Sequence, residues 1–99
     1  MRTQVRQSAL GGAVVGVEGS FDVEDADRLQ SMAAALENEG LVTLDFHGVR
    51  SASDAAVTRL ASQLRAASRR VALVGLCEHH YKLLKYVGLV EALDGCGMD

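Results

Sequence analysis

The sequence predicts a small α/β domain: a mostly parallel sheet with an N-terminal β-hairpin and helices alternating with strands. Three observations carry the prediction. Short β-branched or continuous apolar runs alternate with longer segments whose apolar residues recur at helical spacing. A Gly-Gly pair separates the first two strand-like runs, and later glycines stand where helices should stop. With 99 residues, 48% of them hydrophobic and 23% charged, the chain suffices for one compact core and is too apolar for a disordered tail. One domain is therefore expected over residues 1–99.

The elements follow in order. Thr3 to Ser8 alternate weakly and Ala13 to Val17 form a β-branched run, so Gly11-Gly12 predicts a hairpin turn. Gly19-Ser20-Phe21-Asp22 closes the second strand, and Asp22 is placed to cap a helix over Val23 to Glu39. Ala26, Leu29, Met32, Ala33 and Leu36 form its inward stripe, Glu24, Asp27, Arg28 and Glu37 face outward, and Gly40 ends it. Leu41 to Phe46 reads as a central strand. His47-Gly48-Val49-Arg50 reads as a loop leading to a second helix that starts near Ser51 or Ser53, carries Val57, Leu60, Ala61 and Leu64 inward, and ends near Ser68. Arg70 to Gly75 is an apolar run of the kind buried in the middle of a parallel sheet. A third helix, Glu78 to Val87, turns Leu83, Leu84 and Val87 inward and stops at Gly88. Strands joined through helices are most economically parallel, with right-handed crossovers.

Composition narrows the function classes. A net charge of −3, an aromatic share of 4% and the absence of Trp argue against nucleic acid, which rewards positive charge and stacking surfaces. Cys77 and Cys96 make no disulfide framework, no leader pattern precedes the first strand, and no apolar stretch approaches the roughly 20 residues of a membrane span. A reduced, cytoplasmic protein without membrane insertion is the expectation.

Chemistry-bearing residues concentrate at Val49 to Ala56, where a strand hands over to the second helix. Helix starts offer free N–H groups and partial positive charge, which suit an anion or a phosphorylated hydroxyl. Ser51 and Asp54 have capping-box spacing, and Ser53 is an equally good cap. A second cluster, Cys77-Glu78-His79-His80, is rich in metal-competent groups. Adjacent residues at a helix start should not converge, however, and zinc sites draw on separated pairs, so no metal or other cofactor is expected. Cys77 reads instead as a small buried hydrophobe ending its strand, Glu78 as a complement to the helix dipole, and the histidines as partly solvated. Lys82, Lys85, Arg65, Arg69 and Arg70 read as solvated helix faces. No nucleophile elbow, triad spacing or phosphate-cradling loop occurs, which points away from an enzyme.

Asp45 to Val57, preceded by Gly19-Ser20-Phe21-Asp22 and followed by Val71 to Gly75 and Tyr86 to Leu89, resembles the STAS domain family of sulfate transporters and anti-sigma factor antagonists. The resemblance covers roughly residues 3 to 93. It implies a regulatory module that docks on a serine kinase acting as anti-sigma factor, with docking blocked by phosphorylation of a serine at the start of the second helix. Matching Asp45, Gly48 and Val49 to the family pattern puts Ser53 at its aspartate, Asp54 at its first serine, Ala55 at its phosphoacceptor and Ala56 at its glycine. The usual acceptor hydroxyl is therefore missing. Ser53 is the neighbouring candidate for phosphorylation, but its phosphate would sit beside Asp54.

The docking loops implied by the resemblance offer Phe21, Asp22, His47, Arg50, Ser51, Ser53 and Asp54, with Arg50, Ser53 and Asp54 as the leading partner contacts. The function expected is signal transduction through protein–protein interaction, without the usual phosphorylation switch. Loss of the acceptor also suits a second role, the STAS subunit of a bacterial lipid-transport ABC complex that binds the ATPase. Against the family pattern the end after Gly88 is short, and Leu89, Val90 and Leu93 there would offer apolar surface for a homodimer.

Overall fold

The computed structural model describes residues 1–7, 11–36, 40–66 and 71–86. The elements are β1 (Arg2–Gln7), β2 (Ala13–Phe21), α1 (Val23–Leu36), β3 (Val42–Ala52), α2 (Asp54–Ala66), β4 (Val71–Val74) and α3 (Glu78–Tyr86). Expectations for Glu37, Ser68, Arg69, Arg70, Val87, Gly88 and residues 89–99, the dimer surface included, lie outside the described residues.

The four strands lie side by side in the order β1-β2-β3-β4. β1 and β2 form the expected antiparallel hairpin, with Arg2 opposite Glu18 and Gln7 opposite Ala13. The helical crossovers leave β2 with β3 and β3 with β4 as parallel pairs. Among the described residues β4 is an edge strand, not the mid-sheet strand its apolar run suggested. Val71, Ala72 and Leu73 are nevertheless buried, and burial rather than a second ladder is what the run encoded.

Alternation separates the two faces of the sheet. Val15, Val17, Val42, Leu44 and Phe46 join Ala26, Leu29 and Ala33 of α1 and Val57, Leu60, Ala61 and Leu64 of α2 in one core. Val14, Gly16, Thr43 and Asp45, between them on the strands, are half-buried. Outside the core, α1 and α2 are joined by Asp27, which accepts from Arg59 Nε at 2.9 Å, Arg59 Nη2 at 3.3 Å and Gln63 Nε2 at 2.6 Å. The Arg59 and Gln63 hydrogen bonds hold the Asp27 carboxyl below its ordinary range.

The main departure from the sequence reading is at His47 to Arg50, which is strand and not loop. β3 continues because β2 runs on to Phe21 beside it, pairing Gly48 with Glu18, Val49 with Gly19, Ser51 with Ser20 and Ala52 with Phe21. Two register shifts, at Gly16/Glu18 and Gly19/Ser20, give β3 an extra residue each time, as β-bulges do. Gly48 is required at the first: a Cβ there would meet Glu18 Cγ at 2.8 Å and the Val17 carbonyl oxygen at 3.1 Å. Asp45 supports the same bulge, its Oδ1 accepting the His47 N–H at 3.0 Å. The glycine that reads as loop punctuation thus marks close approach of two strands.

Candidate functional site

β2 and β3 reach their carboxyl ends together, and each passes straight into a helix. Phe21 and Phe46 pack edge to face beneath this junction with centroids 5.2 Å apart, so Phe21 is core rather than the surface group the docking reading made it. The Ser53 N–H donates to the Phe21 carbonyl at 3.2 Å, which sets the starts of α1 and α2 next to each other. Asp22 occupies the cap position of α1: its carbonyl accepts the Ala26 N–H at 3.1 Å, and its own N–H donates to Asp25 Oδ2 at 2.9 Å.

Ser53, rather than Ser51, caps α2. Its Oγ accepts the Ala56 N–H at 3.0 Å and its carbonyl accepts the Val57 N–H at 3.2 Å. Ser51 is still in β3 opposite Ser20, too early in the chain to close the capping box with Asp54. Asp22, Arg50, Ser51, Ser53 and Asp54 are all exposed at this end of the sheet. Ala55, matched to the phosphoacceptor, is exposed in the first turn.

His47 is also exposed but is held to one side. Its Nδ1 lies 2.6 Å from Asp45 Oδ1. Desolvation raises the Asp45 pKa, yet the His47 N–H, the His47 ring and Arg6 at 3.9 Å outweigh it and hold the carboxyl below its ordinary range. A cleft of about 300 Å³ runs from Phe46, His47, Arg50 and Ser51 across to Leu76 and His80. Gly75, whose φ of +77° turns the chain out of β4, also lines the cleft.

The Cys77 to His80 segment differs from expectation. Cys77 is exposed and its Sγ lies 3.2 Å from His80 Nδ1; the strand has already ended at Val74, so Cys77 belongs to the turn into α3. His79 is exposed, whereas His80 is buried at 8% exposure. Both rings converge on Asp54, with Oδ1 2.9 Å from His79 Nε2 and 3.2 Å from His80 Nε2. Local spacing held no sign of this, because Asp54 is contributed by another helix. Glu78 meets Lys82 one turn on at 2.8 Å.

No helix among the described residues is long and apolar enough to cross a membrane. No protein-family profile and no curated protein matches the chain. Solved structures do. The anti-sigma factor antagonist SpoIIAA in its unphosphorylated form matches with a TM-score of 0.61 at 13% identity, over 86% of this chain and 83% of that one. The phosphorylated form of SpoIIAA, a Bacillus cell fate determinant, matches with a TM-score of 0.60 at 13% identity, over 99% and 93%. An uncharacterized protein of the DUF3478 family from Shewanella loihica PV-4, described as having a SpoIIAA-like fold, matches with a TM-score of 0.55 at 14% identity, over 99% and 85%. The hairpin-led parallel sheet with its helices, and the three matched structures, show that this chain has the STAS-like fold of SpoIIAA.

Proposed function

We propose that this chain is a cytoplasmic regulatory module of the anti-sigma factor antagonist type, which docks a protein partner through the start of α2 without a serine phosphorylation switch there. The observation that carries the reading is the exposed grouping of Asp22, Arg50, Ser51, Ser53 and Asp54 around two adjacent helix starts, on the fold of an anti-sigma factor antagonist. Arg50 and Asp54 supply opposite charges for a partner to read, and His47 borders the same surface through the cleft.

Two features support docking without the switch. Ala55 has no hydroxyl, and the Ser53 hydroxyl is engaged as the α2 cap. A phosphate on Ser53 would stand beside the Asp54 carboxylate, where like-charge repulsion offsets part of the gain from the helix terminus. The partner expected is an anti-sigma factor of the serine kinase class.

Affinity capture from the native host compares the wild-type chain with Arg50→Glu/Asp54→Lys, quantified by mass spectrometry. A kinase-type regulator retained by the wild type and lost from the variant supports the reading, whereas equal retention places docking elsewhere. Recovery of an ABC ATPase would favour the transporter-subunit role instead. Incubation with the captured kinase and ATP should leave the intact mass unchanged; one added phosphate on residues 49–56 would overturn the unswitched mode.

A further inference from the structure

The geometry points to a divalent transition-metal site of the zinc class built by Asp54, His79 and His80, tying the start of α2 to the start of α3. The carboxylate oxygen and the two ring nitrogens lie within 4.8 Å of one another. In a tetrahedral zinc site with bonds of about 2.0–2.1 Å, neighbouring ligand atoms are roughly 3.3–3.5 Å apart. The Asp54 contacts at 2.9 Å and 3.2 Å are close to that separation, so small rotations about χ2 of the two rings would admit the ion.

The donor set is chemically apt. Two imidazoles and one carboxylate form a borderline-soft combination that favours zinc over magnesium or calcium, which prefer all-oxygen shells. Three protein ligands also leave one position open to solvent or to a partner's side chain.

Support around the ligands distinguishes this cluster from a chance surface contact. His80 is buried, and its far ring nitrogen, Nδ1, faces Cys77 Sγ at 3.2 Å. A donor–acceptor contact on that side orients the ring and directs Nε2 to the metal, as second-shell partners of ligating histidines do. The first turn of α3 is closed by the Tyr81 N–H to the Cys77 carbonyl at 3.0 Å. The backbone of Asp54 is placed as the first residue of α2 directly after the Ser53 cap. Metal binding displaces the proton from each imidazole Nε2 that carries one and leaves the carboxylate ionised, with no redox step. The site shares Asp54 with the docking reading but not its two histidines, and a zinc titration without any partner tests it separately.

Calorimetric titration of the metal-free chain with Zn²⁺, repeated with Co²⁺ and followed by visible absorption, tests the assignment. One ion per chain is expected, with d–d bands of tetrahedral or five-coordinate cobalt. His79→Ala and Asp54→Asn, both at exposed positions, should each weaken zinc at least tenfold and remove the cobalt bands, while Glu24→Gln, at an exposed position on α1 outside the ligand set, should keep both. Circular dichroism checks that each variant is folded. If the wild type binds no zinc, or binds it no more tightly than His79→Ala, the three groups are only an ion-paired contact between helices and the proposal falls.

Discussion

Replacing Ser53 by Ala isolates one hydrogen bond at the centre of the candidate docking surface. The backbone contacts of residue 53, its N–H to the Phe21 carbonyl and its carbonyl to the Val57 N–H, survive the substitution. Only the 3.0 Å bond from the Ala56 N–H to Oγ is lost. Because Ala56 is fully buried, its N–H gains no easy water contact in exchange, which puts the cost in the upper part of the usual range for a lost cap, about 1–2 kcal/mol. For a domain of this size each kcal/mol is worth about 4–8 °C in Tm, so the expected fall is on the order of 5–15 °C. Thermal and urea unfolding followed by circular dichroism measure it. Ser53→Asn supplies a side-chain oxygen again and should restore stability to within about 0.5 kcal/mol. A Ser53→Ala Tm within about 2 °C of wild type, on that same scale, would refute the assignment of Ser53 as the cap. Failure of Asn to rescue would refute it too.

Two further predictions concern the frame of the site. Gly75→Ala should destabilise by about 2–5 kcal/mol in urea unfolding, combining left-handed backbone strain with overpacking, because the new Cβ would lie 2.6 Å from the His47 nitrogen and 2.9 Å from its ring at a φ of +77°; a change below about 0.5 kcal/mol would sink the argument, since substitutions without a structural mechanism fall in that range. Asp27 and Asp45 have folded-state pKa values held below the ordinary 3.8, so the stability they contribute is present above that value and is lost as pH falls through their folded values. The urea midpoint should therefore drop on acidification below about pH 4 and drop less steeply in Asp27→Asn; parallel pH profiles for the two proteins would contradict the Asp27–Arg59–Gln63 linkage.

Patterns carried within one element were legible in the sequence. The inward stripes of α1 and α2, the hairpin, the alternation of strands with helices, and Ser53 as a cap candidate all depend on spacings of a few residues, which period and propensity report directly. The family resemblance added the order of motifs. What escaped the sequence depends on partners distant in the chain. His47 to Arg50 carries glycine and charge, which read locally as a loop; the neighbouring end of β2 supplies the ladder that makes it strand. Phe21 beside Asp22 read as surface, and its burial follows from the tertiary core, in which it meets Phe46 edge to face.

The histidines show the same division most sharply. By itself the sequence determined that His79 and His80 lie at the start of one helix and Asp54 near the start of another, which begins near Ser51 or Ser53. Helical period says where a side chain lies on its own cylinder but not which neighbouring cylinder it faces. Only the packing of α3 against α2 decided that both rings meet the Asp54 carboxylate, His79 lying 25 positions beyond Asp54 in the chain. β2, β3 and β4 run parallel, so the helices that follow them all start toward the same end of the sheet, and helix starts that are remote in sequence share one surface. Chemistry assembled there has no local signature.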